Sequence, residues 1–179
     1  MSVRTWLVRG FVAVWLGGVS VVLAIVMAPH MSPLRRHAVT TPEIRSAPSS
    51  ATWQVTHVLA AECECSRAVA EALAQRGPAA DASHHVIVVG RNDAMEASLT
   101  SAGFTTTRST AADAFARYGI HGAPWLLVHR PDGQEVYSGG YAPRRPLAAR
   151  DVRLDEILST VRAGRVADTF PAFGCIFTS

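Results

Sequence analysis

Residues 84–90, HHVIVVG, limit what this chain can fold into more than any other stretch. Val86 to Val89 is a short β-branched apolar run that offers no polar face, the pattern of a strand buried on both sides. Strands of that kind belong to parallel sheets, whose neighbours are joined by crossover helices. The flanking sequence supplies both parts. WQVTHVLAA, from Trp53, reads as a strand, and SRAVAEALAQRG reads as a helix that ends at Gly77 with Pro78 as a stop. NDAMEASLTSAG is a second helix with Asn92 as N-cap, FTTT an edge strand, and STAADAFARYG a third helix. PWLLVHR and QEVYSGGY flank the turn signal PDG and form an antiparallel hairpin. DVRLDEILSTVRAG closes as an amphipathic helix with Val152, Leu154, Ile157, Leu158 and Val161 near one face. The order β-α-β-α-β-α-β-β-α predicts an α/β domain over residues 52–165, a mixed sheet flanked by helices.

The amino-terminal part is different. After a short tail (1–9), residues 10–28 carry no charge. A run of that length falls within the ~17–25 residues that span a bilayer as a helix. A cleaved signal peptide has a shorter apolar core, usually ~7–15 residues. The reading is therefore an uncleaved transmembrane anchor. Arg4 and Arg9 flank one side, and Arg35, Arg36 and Arg45 the other, so arginine bias does not set the orientation. A first hydrophobic segment behind a short tail behaves as a signal anchor, which places the remaining chain on the non-cytoplasmic side. Residues 29–51, rich in proline, serine and threonine, read as a tether. Residues 166–179 form an apolar tail that holds Cys175.

Composition excludes some classes. Hydrophobic content of 49% against 17% charged residues argues for a packed domain with a membrane segment rather than a disordered chain. All 17 basic residues are arginine, but they are scattered and the net charge is only +3, so no nucleic-acid surface is indicated. Three cysteines are too few for a disulfide scaffold, and an odd number cannot all pair within one chain. Cys63 and Cys65 flank Glu64 where an apolar strand meets a helix, which points to reactive thiols or metal binding. A helix N-terminus stabilises a thiolate, while Glu62 and Glu64 oppose it. A strand-to-helix elbow is ordinarily an accessible position. A Cys63–Cys65 bridge needs a bend, because extended i and i+2 residues lie near the top of the ~4.4–6.8 Å Cα range of disulfides.

Two motifs in this element order resemble the thioredoxin-like superfamily. One is the strand running into cysteines at a helix start. The other is YGIHGAPWLLVHRPDGQEV, residues 118–136, similar to the segment that carries the family's cis-proline. The resemblance covers roughly residues 53–163 and extends to membrane-anchored thioredoxin-like proteins of bacterial envelopes. The sequence departs from the pattern at three points. Only Glu64 separates the cysteines, Glu62 stands where a tryptophan is usual, and His57 stands where a buried acid is usual. The resemblance implies a thiol–disulfide oxidoreductase of the bacterial cell envelope acting on protein thiols or disulfides, without a cofactor. Cys63 would be the attacking sulfur, with Cys65 or Cys175 resolving the mixed disulfide. His57 would be a proton acceptor behind the cysteines. Pro124 would be the cis-proline facing them, and Ala123 would pair with substrate backbone. His121 reads as a loop residue. Two alternatives stay open: a Cu(I)-binding metallochaperone using Cys63 and Cys65 as soft ligands, and a non-catalytic thioredoxin-like domain that binds a partner.

Overall fold

The computed structural model describes residues 3–31, 33–36, 52–165, 167 and 169–177. They fall into two units, Met1–Ser32 and Pro33–Ser179. The first holds one helix, α1 (Val3–Met31), whose described side chains from Arg9 to Ile25 are all exposed. Among the described residues no helix is long and apolar enough to cross a membrane. The expected span includes residues 26–28, whose side chains lie outside those described. Most of the expected tether, residues 37–51, also lies outside the described residues. Its described part departs from the expectation. Residues 29–31 continue α1, and Leu34 and Arg36 form β-bridges to Ala172 and Ile120. The compact unit thus begins at Pro33 and not at Thr52.

That unit follows the predicted order. β1 (Trp53–Ala60) leads into α2 (Glu64–Arg76), then β2 (Ala82–Val89), α3 (Asp93–Ser101), β3 (Thr105–Ser109) and α4 (Ala111–Tyr118). After a two-residue strand β4 (Gly122–Ala123) come the hairpin β5 (Trp125–His129) and β6 (Glu135–Gly139), then α5 (Leu154–Arg162). The sheet order is β3-β2-β1-β5-β6, with β1, β2 and β3 parallel and β5 antiparallel to both of its neighbours. A second small sheet joins β4 to β7 (Cys175–Ile176). These two short strands have no counterpart in the sequence expectations.

β1 sits at the centre because it is apolar on both faces. Val55 and Leu59 join Val69 and Leu73 of α2, Leu99 of α3, and Leu154, Ile157, Leu158 and Val161 of α5 in the larger core. Val58 points the other way, to Ala114 of α4, Ile120, Trp125 and Leu127. Each fully buried leucine here contributes about 1.5–3 kcal/mol. Side-chain caps fix where the helices begin. Asn92 Oδ1 accepts from Met95 N–H at 3.0 Å, and Thr110 Oγ1 accepts from Asp113 N–H at 3.1 Å. Each cap supplies a partner for an otherwise orphaned amide, worth about 1 kcal/mol. α4 stops at Gly119, where φ is +66°, the left-handed turn that glycine adopts without steric cost.

Candidate functional site

The elbow between β1 and α2 is pinned from several sides. Ala61 N–H donates to Val89 O at 2.9 Å, and the Asn92 side-chain amide donates to Ala61 O at 2.9 Å. Ser66 Oγ accepts from Ala60 N–H at 2.9 Å. Cys63 is the N-cap of α2, in extended conformation, and Cys65 lies in the first turn. Contrary to the accessible position expected, both are buried, with Cys63 2% and Cys65 0% exposed. The reason is the material packed over the elbow: Ala123, Cys175 and Phe177 form one apolar cluster with the two cysteines.

The structure brings together most of the residues singled out in the sequence. The Ala123–Pro124 peptide is cis. Cys63 Sγ lies 3.5 Å from Ala123 O. Cys175 is the antiparallel partner of Ala123, so the tail brings the third thiol to the pair. All three cysteines are free thiols. The approach of β7 to β4 needs glycine in β4 and immediately before β7. A Cβ at Gly122 would lie 2.6 Å from Cys175 O, and one at Gly174 would run into Ala123 O. Phe177 N–H donates to His121 O at 2.7 Å and continues the pairing. His121 therefore contributes its carbonyl to the strand edge, and its ring stacks on Phe115.

The thiols differ in proton affinity. Cys63 is lowered to about 5, first by a hydrogen bond from Cys65, then by Cys175 and by the amide and hydroxyl of Ser66, against the opposing effect of burial. Cys65 is pushed up, first because it donates to Cys63 and then by burial. Cys175 is raised to about 11, mainly by burial. Of the three sulfurs, Cys63 is thus the one that gives up its proton most readily. Arg145 was not foreseen. Its Nε donates to Cys65 Sγ at 3.1 Å and adds positive charge to the cluster. Nothing in the sequence ties it to the cysteines beyond the doublet Arg144-Arg145 after the hairpin. Glu64 turns outward to Arg67, at 3.5 Å.

His57 occupies the predicted face of β1, but its ring nitrogens are engaged elsewhere. Nδ1 meets Tyr141 OH at 2.9 Å, and Nε2 meets His84 Nδ1 at 3.1 Å. The three rings stack, with Phe104 edge-on to both imidazoles. Burial, then His84, Arg76 and His85, hold His57 well below the usual histidine range. His84 is lowered to about 4, first by burial. Both rings are neutral near pH 7. Tyr141 and His84 were also missed in the sequence; the His84-His85 doublet is their one visible trace.

An open groove of about 960 Å³ runs beside the elbow, lined by residues that include Glu62, Cys63, Arg108, Asp113, Cys175 and Phe177. Cys65 does not line it. Among the described residues no group of three or more His, Cys, Asp or Glu side chains is placed to hold a metal ion.

No family model matches the sequence, and no curated protein matches it. Solved structures do. A hypothetical protein from Sinorhizobium meliloti is 18% identical, with a TM-score of 0.55 over 83% of this chain and 96% of its own. An uncharacterized conserved protein from Geobacillus kaustophilus is 15% identical, with a TM-score of 0.51 over 84% of this chain and 92% of its own. A secreted Mycobacterium tuberculosis disulfide oxidoreductase homologous to Escherichia coli DsbE is 21% identical, with a TM-score of 0.47 over 64% of this chain and 84% of its own. The first two likenesses extend over most of both chains and concern the fold. With its sheet order and the cis-proline beside the cysteine elbow, this fold is thioredoxin-like.

Proposed function

We propose that this chain is a thiol–disulfide oxidoreductase that exchanges disulfides with protein substrates through Cys63. The observation that carries the reading is the convergence of three free thiols at a helix N-terminus, two of which, Cys63 and Cys175, line the groove, with Cys63 the most acidic of the three. The thiolate is the nucleophile in such exchange, and a pKa near 5 keeps it populated at neutral pH. Cys63 attacks one sulfur of a substrate disulfide. The substrate S–S bond breaks, one substrate thiolate leaves, and a mixed disulfide remains on Cys63. A second thiol of the cluster then attacks Cys63 Sγ and releases the other substrate thiol. Two electrons pass from the protein to the substrate, and the reverse sequence oxidises a substrate dithiol. The backbone edge of Ala123, expected to pair with an extended substrate segment, carries β7 of the chain's own tail, so in this reading substrate reaches Cys63 from the groove.

The same reading places α1 in a bacterial membrane, spanning with residues 10–28, and the compact unit on the non-cytoplasmic side, where disulfide chemistry is at home. Its support is the uncharged run within a 29-residue helix. At 1.5 Å per residue, the run matches the ~30 Å hydrocarbon core. Full-length protein is expected to stay with membranes through carbonate washing, and release of a soluble form that begins near Pro29 would refute the anchor.

The test of function is turnover of a disulfide-bonded model peptide by reduced protein. Cys63→Ser is expected to abolish mixed-disulfide formation, a loss of a hundredfold or more. Equal rates for Cys63→Ser, Cys65→Ser, Cys175→Ser and the parent chain would remove exchange as the chemistry and leave a partner-binding domain. Titration of the reduced protein with Cu(I) is the companion measurement: tight binding that needs Cys63 and Cys65, without exchange activity, would favour the metallochaperone.

A further inference from the structure

The tail of the chain occupies the strand edge that a substrate would use. β7 pairs antiparallel with β4, with Cys175 opposite Ala123 and Ile176 opposite Gly122. The glycine before the cysteine is required, since any Cβ at Gly174 collides with Ala123 O. The carboxyl side of the strand is held by the Phe177–His121 bond. The amino side is held by Leu34, whose N–H donates to Ala172 O at 2.6 Å. The segment that holds Leu34 is itself clamped. Arg36 donates to Tyr118 O at 2.7 Å and to Glu135 at 2.7 Å. A tail anchored from both sides presents one sulfur, Cys175, to Cys63.

The geometry points to Cys175, and not Cys65, as the thiol that resolves the mixed disulfide on Cys63. This deepens the exchange reading and rests on it. Cys63 and Cys175 both line the groove, where a substrate sulfur arrives; Cys65 is sealed from it and tied to Arg145. Cys63 also starts α2, its carbonyl accepting from Arg67 N–H at 3.0 Å. Cys63 is the extended N-cap of α2, so a bond to Cys65 would have to bend the elbow, because extended residues two apart lie near the top of the Cα range that disulfides adopt. A bond to Cys175 joins two elements already in contact. Cys65 instead donates a hydrogen bond to the Cys63 thiolate and positions it.

The step balances. With a substrate half attached, Cys63–S–S–R, the Cys175 thiolate attacks Cys63 Sγ. The bond to R breaks, R leaves as a thiolate and takes up the proton given up by Cys175, and a Cys63–Cys175 disulfide remains. A dithiol reductant restores both thiols.

The test treats the reduced full-length chain with oxidised glutathione, blocks free thiols, and maps bonds by mass spectrometry of peptides. The expected result is a Cys63–Cys175 link with Cys65 alkylated. Cys175→Ser is expected to trap glutathione on Cys63, whereas Cys65→Ser still closes the link. Gly174→Ala, which keeps Cys175 but lifts the strand, is expected to trap glutathione as Cys175→Ser does. A Cys63–Cys65 link with Cys175 alkylated, or trapping by Cys65→Ser alone, overturns the assignment while leaving exchange at Cys63 intact. Absence of any mixed disulfide at Cys63, in the parent chain and in all variants, overturns the exchange reading itself.

Discussion

Cys63 gives up its proton readily because donors converge on its sulfur from α2 and from the tail. Reactivity toward an alkylating agent is therefore expected to be near its plateau at pH 7 and to fall as the pH drops through about 5. Arg145 belongs to the same balance. It donates to Cys65 Sγ, and hydrogen bonds to charged groups are worth about 1.5–3 kcal/mol. Arg145→Gln removes the positive charge from the cluster. The midpoint of the Cys63 alkylation profile should then move up, because the cation attracts the charge on Cys63 as well as that on Cys65. Arg145→Lys, which keeps a charge without the planar fork, should fall between the two. An unchanged profile in Arg145→Gln would show that the guanidinium does not act on the thiols.

The elements divide by how well the sequence announces them. Val86–Val89 and the stripe Leu154, Ile157, Leu158 and Val161 carry full periods of their structures, so strand and helix were legible there. β4 and β7 are two residues each, too short for any period, and exist because two backbones meet across Gly122 and Gly174. Legibility of the site follows the same division. Cys63, Cys65 and Pro124 were visible through local motifs. The pairing of Cys175 with Ala123 and the reach of Arg145 to Cys65 depend on long-range docking, which leaves no local mark. The two kinds of element should also respond differently to truncation of a side chain. Leu73 is fully buried in the main core, so Leu73→Ala is expected to cost about 2–5 kcal/mol in urea unfolding. Ile176 is 64% exposed and its strand is held by backbone and glycine, so Ile176→Ala should stay within about 0.5 kcal/mol. Similar losses at both positions would mean that the tail is held by its side chains.

At the scale of the whole molecule, the buried chain Tyr141–His57–His84 links folding to pH. His57 is 0% and His84 5% exposed, and His84 Nε2 has no hydrogen-bond partner among the described residues. A proton on either ring would place charge in the core. In the unfolded chain both take up protons near pH 6.5. In the folded chain His84 does so only near 4, and His57 also well below its usual range. Between those limits the unfolded state binds more protons. The contribution of the two rings is therefore expected to be flat above about pH 7 and to fall as the pH drops from about 6.5 toward 4, by up to about 1.4 kcal/mol per pH unit for each ring. His85 and His129, also lowered chiefly by burial, act in the same direction. The Cys63 thiol, depressed in the folded state, adds a slope of the same sign between about 5 and its unfolded value. The measurement is therefore made on Cys63→Ser, with urea unfolding at half-unit steps from pH 7.5 to 4.5. His84→Asn should remove up to one proton's worth of the slope and keep a polar partner for His57. A flat profile in Cys63→Ser over that range would mean that the imidazoles are hydrated in the folded protein, and that the chain of rings is not the sealed element its contacts describe.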